Sequence, residues 1–224
     1  MSQLDEQFKS LEKFQFQSPT CSSISGPSGS GKSELVFKII KDRHLMFSTP
    51  PSIVIYCYRV WQDRFQDLLN ENKGRDDIIF HQGIYDISKL KSDKKHKLLI
   101  LDDLMSSIDK SIGDLFCVQS HHTFTSCFYI NQNLYNKNPY ARDISLNSQY
   151  IILFKQRRDL SSLRTLGMQL FPKKFNDFIS TYNQITLGPF SYMLIDIHPA
   201  NIHRVVLRSN ILPNEIETVY IPTD

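Results

Sequence analysis

The chain has 224 residues, 41% of them hydrophobic and 22% charged, which excludes a disordered tail or a fibrous repeat. Eight Gly and ten Pro exclude collagen-like and low-complexity classes. A net charge of +3 is too small to point at a nucleic acid by itself.

In chain order, Thr20–Ser25 reads as a short strand of small residues ending at Gly26, and Glu34–Asp42 as a helix with Leu35, Val36, Ile39 and Ile40 at helical spacing. Ser52–Tyr58 is a β-branched and aromatic strand. Trp61–Glu71 is a second helix, with Phe65, Leu68 and Leu69 on one face. Asp77–Phe80 is a short strand and Lys91–Lys97 a basic loop. Leu98–Leu101 is a continuous apolar run of the kind that parallel sheets bury on both faces. A helix at Ile112–Gln119 precedes strands at Ser126–Asn131 and Tyr150–Phe154. Helices at Ser161–Leu170 and Phe175–Tyr182, then strands at Tyr192–Ile197 and Arg204–Leu207, complete the chain. Strands alternating with helices predict an α/β fold around a mostly parallel sheet.

The apolar runs fall far short of the ~18 residues that span a bilayer, and the charged N-terminus has no secretory apolar core. A soluble, intracellular chain without membrane contact is expected. Four cysteines (Cys21, Cys57, Cys117 and Cys127) form no CxxC pair and predict no disulfide framework. Cys117, His121, His122 and Cys127 could act as soft metal ligands, but the paired spacings of zinc sites are missing. A helix end and the strand after it account for the same residues.

The chemistry concentrates in Gly26-Pro27-Ser28-Gly29-Ser30-Gly31-Lys32-Ser33, a G-x-x-x-x-G-K-[ST] string between a predicted strand and a predicted helix. Glycines let consecutive N–H groups converge on phosphates, and the helix N-terminus adds its positive end. Lys32 is expected to neutralise the β- and γ-phosphates of ATP, and the Ser33 hydroxyl to be a ligand for Mg²⁺. Such a site needs a carboxylate to complete it. Leu98–Leu101 delivers Asp102 and Asp103 at its carboxyl end, where open α/β sheets bind ligands. Asp102 would hold the magnesium, directly or through water, and Asp103 would polarise the attacking water. Asn136-Lys137-Asn138-Pro139 resembles the guanine-reading N-K-x-D, but its last residue is Pro, so ATP is favoured over GTP. Asn131-Gln132-Asn133 closes the strand beside the acidic one, placed to orient water or to cap a turn.

The series GPSGSGKS (26–33), IVIYCYRVWQDRF (53–65), LLILDDLM (98–105), LFCVQSHH (115–122), FYINQNLY (128–135), ARDISLNSQYIILFKQRRD (141–159) and SYMLIDIHP (191–199) resembles the FtsK/HerA-class genome-packaging ATPases. Within that class it is most similar to the poxvirus-type and Polinton/adintovirus/virophage branch. The resemblance runs from about Phe14 to Ile211. It implies a RecA-like, additional-strand P-loop core over residues 14–224, preceded by an extension at 1–13. It implies ATP hydrolysis coupled to moving double-stranded DNA into a preformed capsid, by a homo-oligomeric ring set on a capsid vertex or portal-like protein. Lys32 and Ser33 then match Walker A, Asp102 and Asp103 match Walker B, and Gln132 the polar sensor. Arg142, just before the strand block, is similar to the trans-acting arginine finger, with Arg157 and Arg158 as rivals. Many of the wider superfamily carry Asp-Glu where this chain has Asp102-Asp103; the viral branch tends to Asp-Asp.

Charge is uneven along the chain. Residues 151–180 carry six cations, Lys155, Arg157, Arg158, Arg164, Lys173 and Lys174, against Asp159 and Asp177, an excess of +4. The stretch is read either as a solvated face or as a face for a polyanion. Two further function classes share the phosphate loop: a small nucleoside or nucleotide kinase with a lid at Lys155–Arg164, and a nucleotide-bound assembly factor that does not hydrolyse.

Overall fold

The computed structural model describes residues 13–71, 76–116, 120–135, 138–201 and 205–220. The expected extension at 1–13 lies outside these residues except for Lys13, as do Cys117, Asn136, Lys137, Arg204 and the end of the helix expected at Ile112–Gln119.

The nine strands of the described residues are β1 Cys21–Ser25, β2 Ile53–Tyr58, β3 Ile78–Gln82, β4 Lys97–Asp102, β5 Thr125–Asn131, β6 Tyr150–Phe154, β7 Tyr192–Asp196, β8 Val206–Ser209 and β9 Thr218–Tyr220. They form one sheet in the order β3-β2-β4-β5-β1-β6-β7-β8-β9. The first six positions pair in parallel, and β7, β8 and β9 add an antiparallel flank. The fold is therefore α/β with a mostly parallel central sheet. The additional strand is β5, which separates β1 from β4.

The main helices are α1 Lys32–Lys41, α2 Asp63–Glu71, α3 Lys110–Asp114, α4 Pro139–Asn147, α5 Leu160–Leu170 and α6 Phe175–Ile185, with short turns at Arg43–Met46 and Ser120–His122. They cover both faces, because alternate residues of each strand point to opposite sides. Ile24, Tyr56, Leu98, Ile100, Phe128 and Ile152 pack with Leu35, Val36 and Ile39 of α1 and Phe65 of α2. The interleaved Ile55, Leu99, Leu101 and Tyr129 pack with Ile112 of α3 and Ile144 of α4. On that same side, Ile151, Leu153, Met193 and Ile195 meet Leu163 and Leu166 of α5 and Phe178 of α6. Central strands buried twice over are why Leu98–Leu101 reads as an unbroken apolar run.

Several expectations need correction. Lys97 opens β4 instead of ending the basic loop; it is 6% exposed, and its ammonium donates to the carbonyls of Lys91, Lys95 and Thr123. Helix α4 occupies the stretch before β6, for which the sequence predicts no element. Its signal is local, with the Asn138 side chain accepting from the Tyr140 N–H at 2.9 Å and Pro139 in the first turn. A guanine-like motif masked that cap. Arg142, expected just before a strand block, therefore lies inside a helix. The weak strand β9 carries an exposed Thr218 and offers little apolar pattern to read.

Candidate active site

The loop from Gly26 to Gly31 leaves the carboxyl end of β1 and opens α1. Gly29 and Gly31 have φ of +74° and +99°, a backbone that only glycine adopts without strain. A Cβ on Gly26 would stand 2.7 Å from the Phe154 Cβ, so bulk is excluded there as well. No side chain caps the N-terminus of α1, which leaves its first N–H groups free for an anion.

One cavity of about 390 Å³ gathers Ser28, Gly29, Ser30, Gly31, Lys32, Ser33, Asp102, Asp103, Asn131 and Gln132. Its walls come from β1, β4 and β5, three neighbouring carboxyl ends, which is where the crevice of an open α/β sheet lies. The Lys32 ammonium folds back on the loop, donating to the carbonyls of Gly26 at 2.6 Å and Pro27 at 2.8 Å. Burial lowers its pKa, against the pull of Asp102 and Asp103. Ser33 Oγ donates to Asp102 Oδ2 at 3.0 Å. Tyr56, buried on β2, donates its phenol to that same oxygen at 2.6 Å. Burial pushes the Asp102 carboxyl up, and these two hydrogen bonds hold it partly down. The Tyr56 phenol is pushed well above its ordinary value by burial and by the Asp102 charge.

Asp103 sits one step beyond β4, exposed and at φ +54°. An aspartate in the left-handed region carries strain of the kind that clusters at functional sites. That turn swings its carboxylate out of the sheet, where Gln132 Nε2 donates to Asp103 Oδ1 at 3.3 Å. Beside it Asn131 donates to Ser23 Oγ at 3.3 Å, while its own buried Oδ1 has no partner.

The donor set fits a small hard cation. Ser33 and Asp102 bring oxygen ligands within hydrogen-bond distance of each other beside an open helix N-terminus. The uncapped amides and Lys32 suit the phosphates that would come with it.

Arg142, Arg157 and Arg158 do not line this cavity; all three are exposed. Arg142 makes no ion pair among the described residues. Cys127 is buried in β5 while His121 and His122 are exposed, and no metal-binding cluster of three or more His, Cys, Asp or Glu occurs among the described residues. No helix there is long and apolar enough to cross a membrane.

The sequence reading missed part of the wall. Glu34, Phe37, Gln62 and Arg64 also line the cavity, with Arg64 ion-paired to Glu34 and its guanidinium 5.8 Å from the Phe37 ring centre. It missed Tyr56 too. Strand alternation fixes only which face of β2 Tyr56 shares with Val54 and Tyr58; its register with Ile100, which sets it on the face of Asp102, comes from the strand order of the sheet.

The sheet order and the phosphate-type loop define the P-loop NTPase fold. Among solved structures, the chain is similar to the genome packaging NTPase B204 from Sulfolobus turreted icosahedral virus 2 in complex with AMPPCP, at 14% identity over 92% of this chain and 98% of that chain, with a TM-score of 0.51. The complex of B204 with ATP-gammaS aligns at 15% identity over 91% of this chain and 97% of that chain, with a TM-score of 0.49. At 14% identity the likeness to the AMPPCP complex is one of fold. No protein-family model matches the chain, and no curated protein matches it.

Proposed function

We propose that this protein is an ATP-driven motor that moves double-stranded viral DNA into a preformed capsid. The observation that carries the reading is the convergence of Lys32, Ser33, Asp102, Asp103 and Gln132 on one cavity. The fold adds support, since the protein of similar structure solved with AMPPCP is a genome packaging NTPase.

In this reading the loop amides bind the phosphates of ATP. Lys32 leaves the carbonyls of Gly26 and Pro27 and turns its charge to the β- and γ-phosphates. Ser33 and Asp102 would hold Mg²⁺, which supplies charge neutralisation at the transferred phosphoryl group. Asp103, oriented by Gln132, accepts hydrogen bonding from the attacking water and points its lone pair at phosphorus. Arg142 of a neighbouring subunit supplies the donor that one subunit lacks, which requires a homo-oligomeric ring. Such a ring would thread DNA and dock on a capsid vertex or portal-like protein. Residues 14–224 form the ATPase domain of that motor. The basic 151–180 stretch is the face offered to DNA, with Lys173 exposed near the start of α6.

The kinase reading gains nothing from the structure. Of the cations its lid would use, Lys155 donates to Asn183 at 2.9 Å, Arg164 stands 5.8 Å from the Phe175 ring centre, and Arg157 and Arg158 are exposed and line no part of the cavity.

The test is ATP turnover with and without double-stranded DNA, alongside sizing of the assembly. Stimulation by DNA, abolished in Lys32→Ala, is expected. Turnover that responds to a nucleoside acceptor and ignores DNA would establish the kinase instead. Parental turnover by Lys32→Ala would remove the phosphate loop from the site.

A further inference from the structure

The loop joining α6 to β7 carries Phe190, an aromatic side chain that the core does not use. It is 69% exposed, and its φ is +60°. A bulky residue in the left-handed region is a backbone outlier, and such strain gathers at ligand clamps. The loop is tied at its root, where Thr186 N–H and Oγ both donate to the Tyr182 carbonyl at 2.9 and 2.7 Å. At its far end Ser191 N–H closes a turn on the Gly188 carbonyl at 3.4 Å. The backbone on both sides of Phe190 is thus tied by hydrogen bonds, and the ring stands out from the core.

It is held against the phosphate loop. A Cβ on Gly31 would lie 3.2 Å from the Phe190 Cδ1 and 3.4 Å from its Cβ. Gly31 immediately precedes Lys32, so Phe190 flanks the cradle itself.

Direction decides what it meets. The cation and water ligands, Asp102, Asp103 and Gln132, stand at the ends of β4 and β5, on one side of β1. A triphosphate laid along the loop with its γ end towards them leaves its α-phosphate, sugar and base on the opposite side. That side belongs to β6 and β7, and Phe190 sits two residues before β7.

We infer that Phe190 is the stacking platform for the nucleobase. The inference rests on the triphosphate reading of the same cavity and extends it to the other end of the ligand. The cavity runs from the phosphate loop towards Phe37, Gln62 and Arg64 and does not include Phe190, so a base on Phe190 lies on an open ring face and not in a closed slot. Stacking of this kind reads any flat aromatic base, because every base has a π-face. The stack itself therefore adds a similar increment of affinity for either purine.

The experiment compares binding of MgATP, MgGTP and inorganic tripolyphosphate with Mg²⁺ to the full chain and to Phe190→Ala and Phe190→Tyr. In Phe190→Ala, both nucleotides should weaken roughly tenfold, the scale of one lost base–aromatic stack. Tripolyphosphate, which has no base, should bind as to the parent, and Phe190→Tyr should retain parental nucleotide affinity. Unchanged nucleotide binding in Phe190→Ala overturns the inference. Equal losses for nucleotide and tripolyphosphate also overturn it, since they would make the ring a prop for Gly31. A parent that binds tripolyphosphate and both nucleotides equally overturns this inference alone, whereas a parent that binds none of them overturns the nucleotide reading with it.

Discussion

Tyr56 on β2 donates its phenol to Asp102 at the end of β4, across 2.6 Å of buried space. The carboxylate needs this partner because burial disfavours its charge. Ser33 shares the same oxygen, so a cation arriving there would take the Ser33 lone pairs and leave Tyr56 holding the carboxylate in position.

Tyr56→Phe should therefore weaken Mg²⁺-dependent nucleotide binding roughly tenfold, the scale of a lost hydrogen bond to a charged group. Binding of ATP without metal should change little. Titrations with and without Mg²⁺ check this, and equal losses in both would reduce Tyr56 to a packing residue.

Asp102 also predicts a pH dependence with a definite sign. Its carboxyl is raised above the ordinary 3.8, so the folded chain holds that proton more tightly than the unfolded chain. The cost is absent below the ordinary value, grows as pH rises through it, and is complete above the raised one. Asp102→Asn removes the cost and keeps an acceptor for Tyr56. The nucleotide-free variant should be more stable than the parent at neutral pH, by about 1.4 kcal/mol for each unit of upward shift. That gain should vanish in acid. Thermal melts of both across pH 3–8 measure it, and a gain that persists below about pH 3.5 would separate it from the Asp102 proton.

Asp103 and Asp102 should fail differently. Asp103→Asn keeps shape but loses the charge facing Gln132, so MgATP should bind and hydrolysis should stall. Asp102→Ala should lose metal-dependent binding itself. Direct binding and single-turnover hydrolysis separate the two, and equal loss of binding in both would erase the division of roles.

Arg142 lies exposed on α4, outside the cavity of the chain that carries it. A donor used in trans needs that placement. Arg142→Ala should bind ATP normally and turn over about 10³-fold more slowly or worse. Mixed with Lys32→Ala it should regain activity, because each chain supplies what its neighbour lacks. Parental turnover by Arg142→Ala would pass the role to Arg157 or Arg158, which are also exposed.

The residues of the phosphate loop and the acidic strand end were legible in the amino-acid order because they are local. Gly29 and Gly31 need their φ within one turn, and Asp102 follows the apolar run that carries it. Alternation of strand and helix likewise announced the α/β class. Which strands become neighbours is another matter. Strand β5 separates β1 from β4, and only that order brings Gln132 to Asp103 from a segment 29 residues away. The same order sets Tyr56 beside Asp102, Arg64 over Glu34 and Phe190 against Gly31. None of these pairs leaves a spacing in the sequence, since each joins elements brought together by burying both faces of one sheet. The chain's order determined which groups could do the chemistry; the packing of the sheet decided which of them meet.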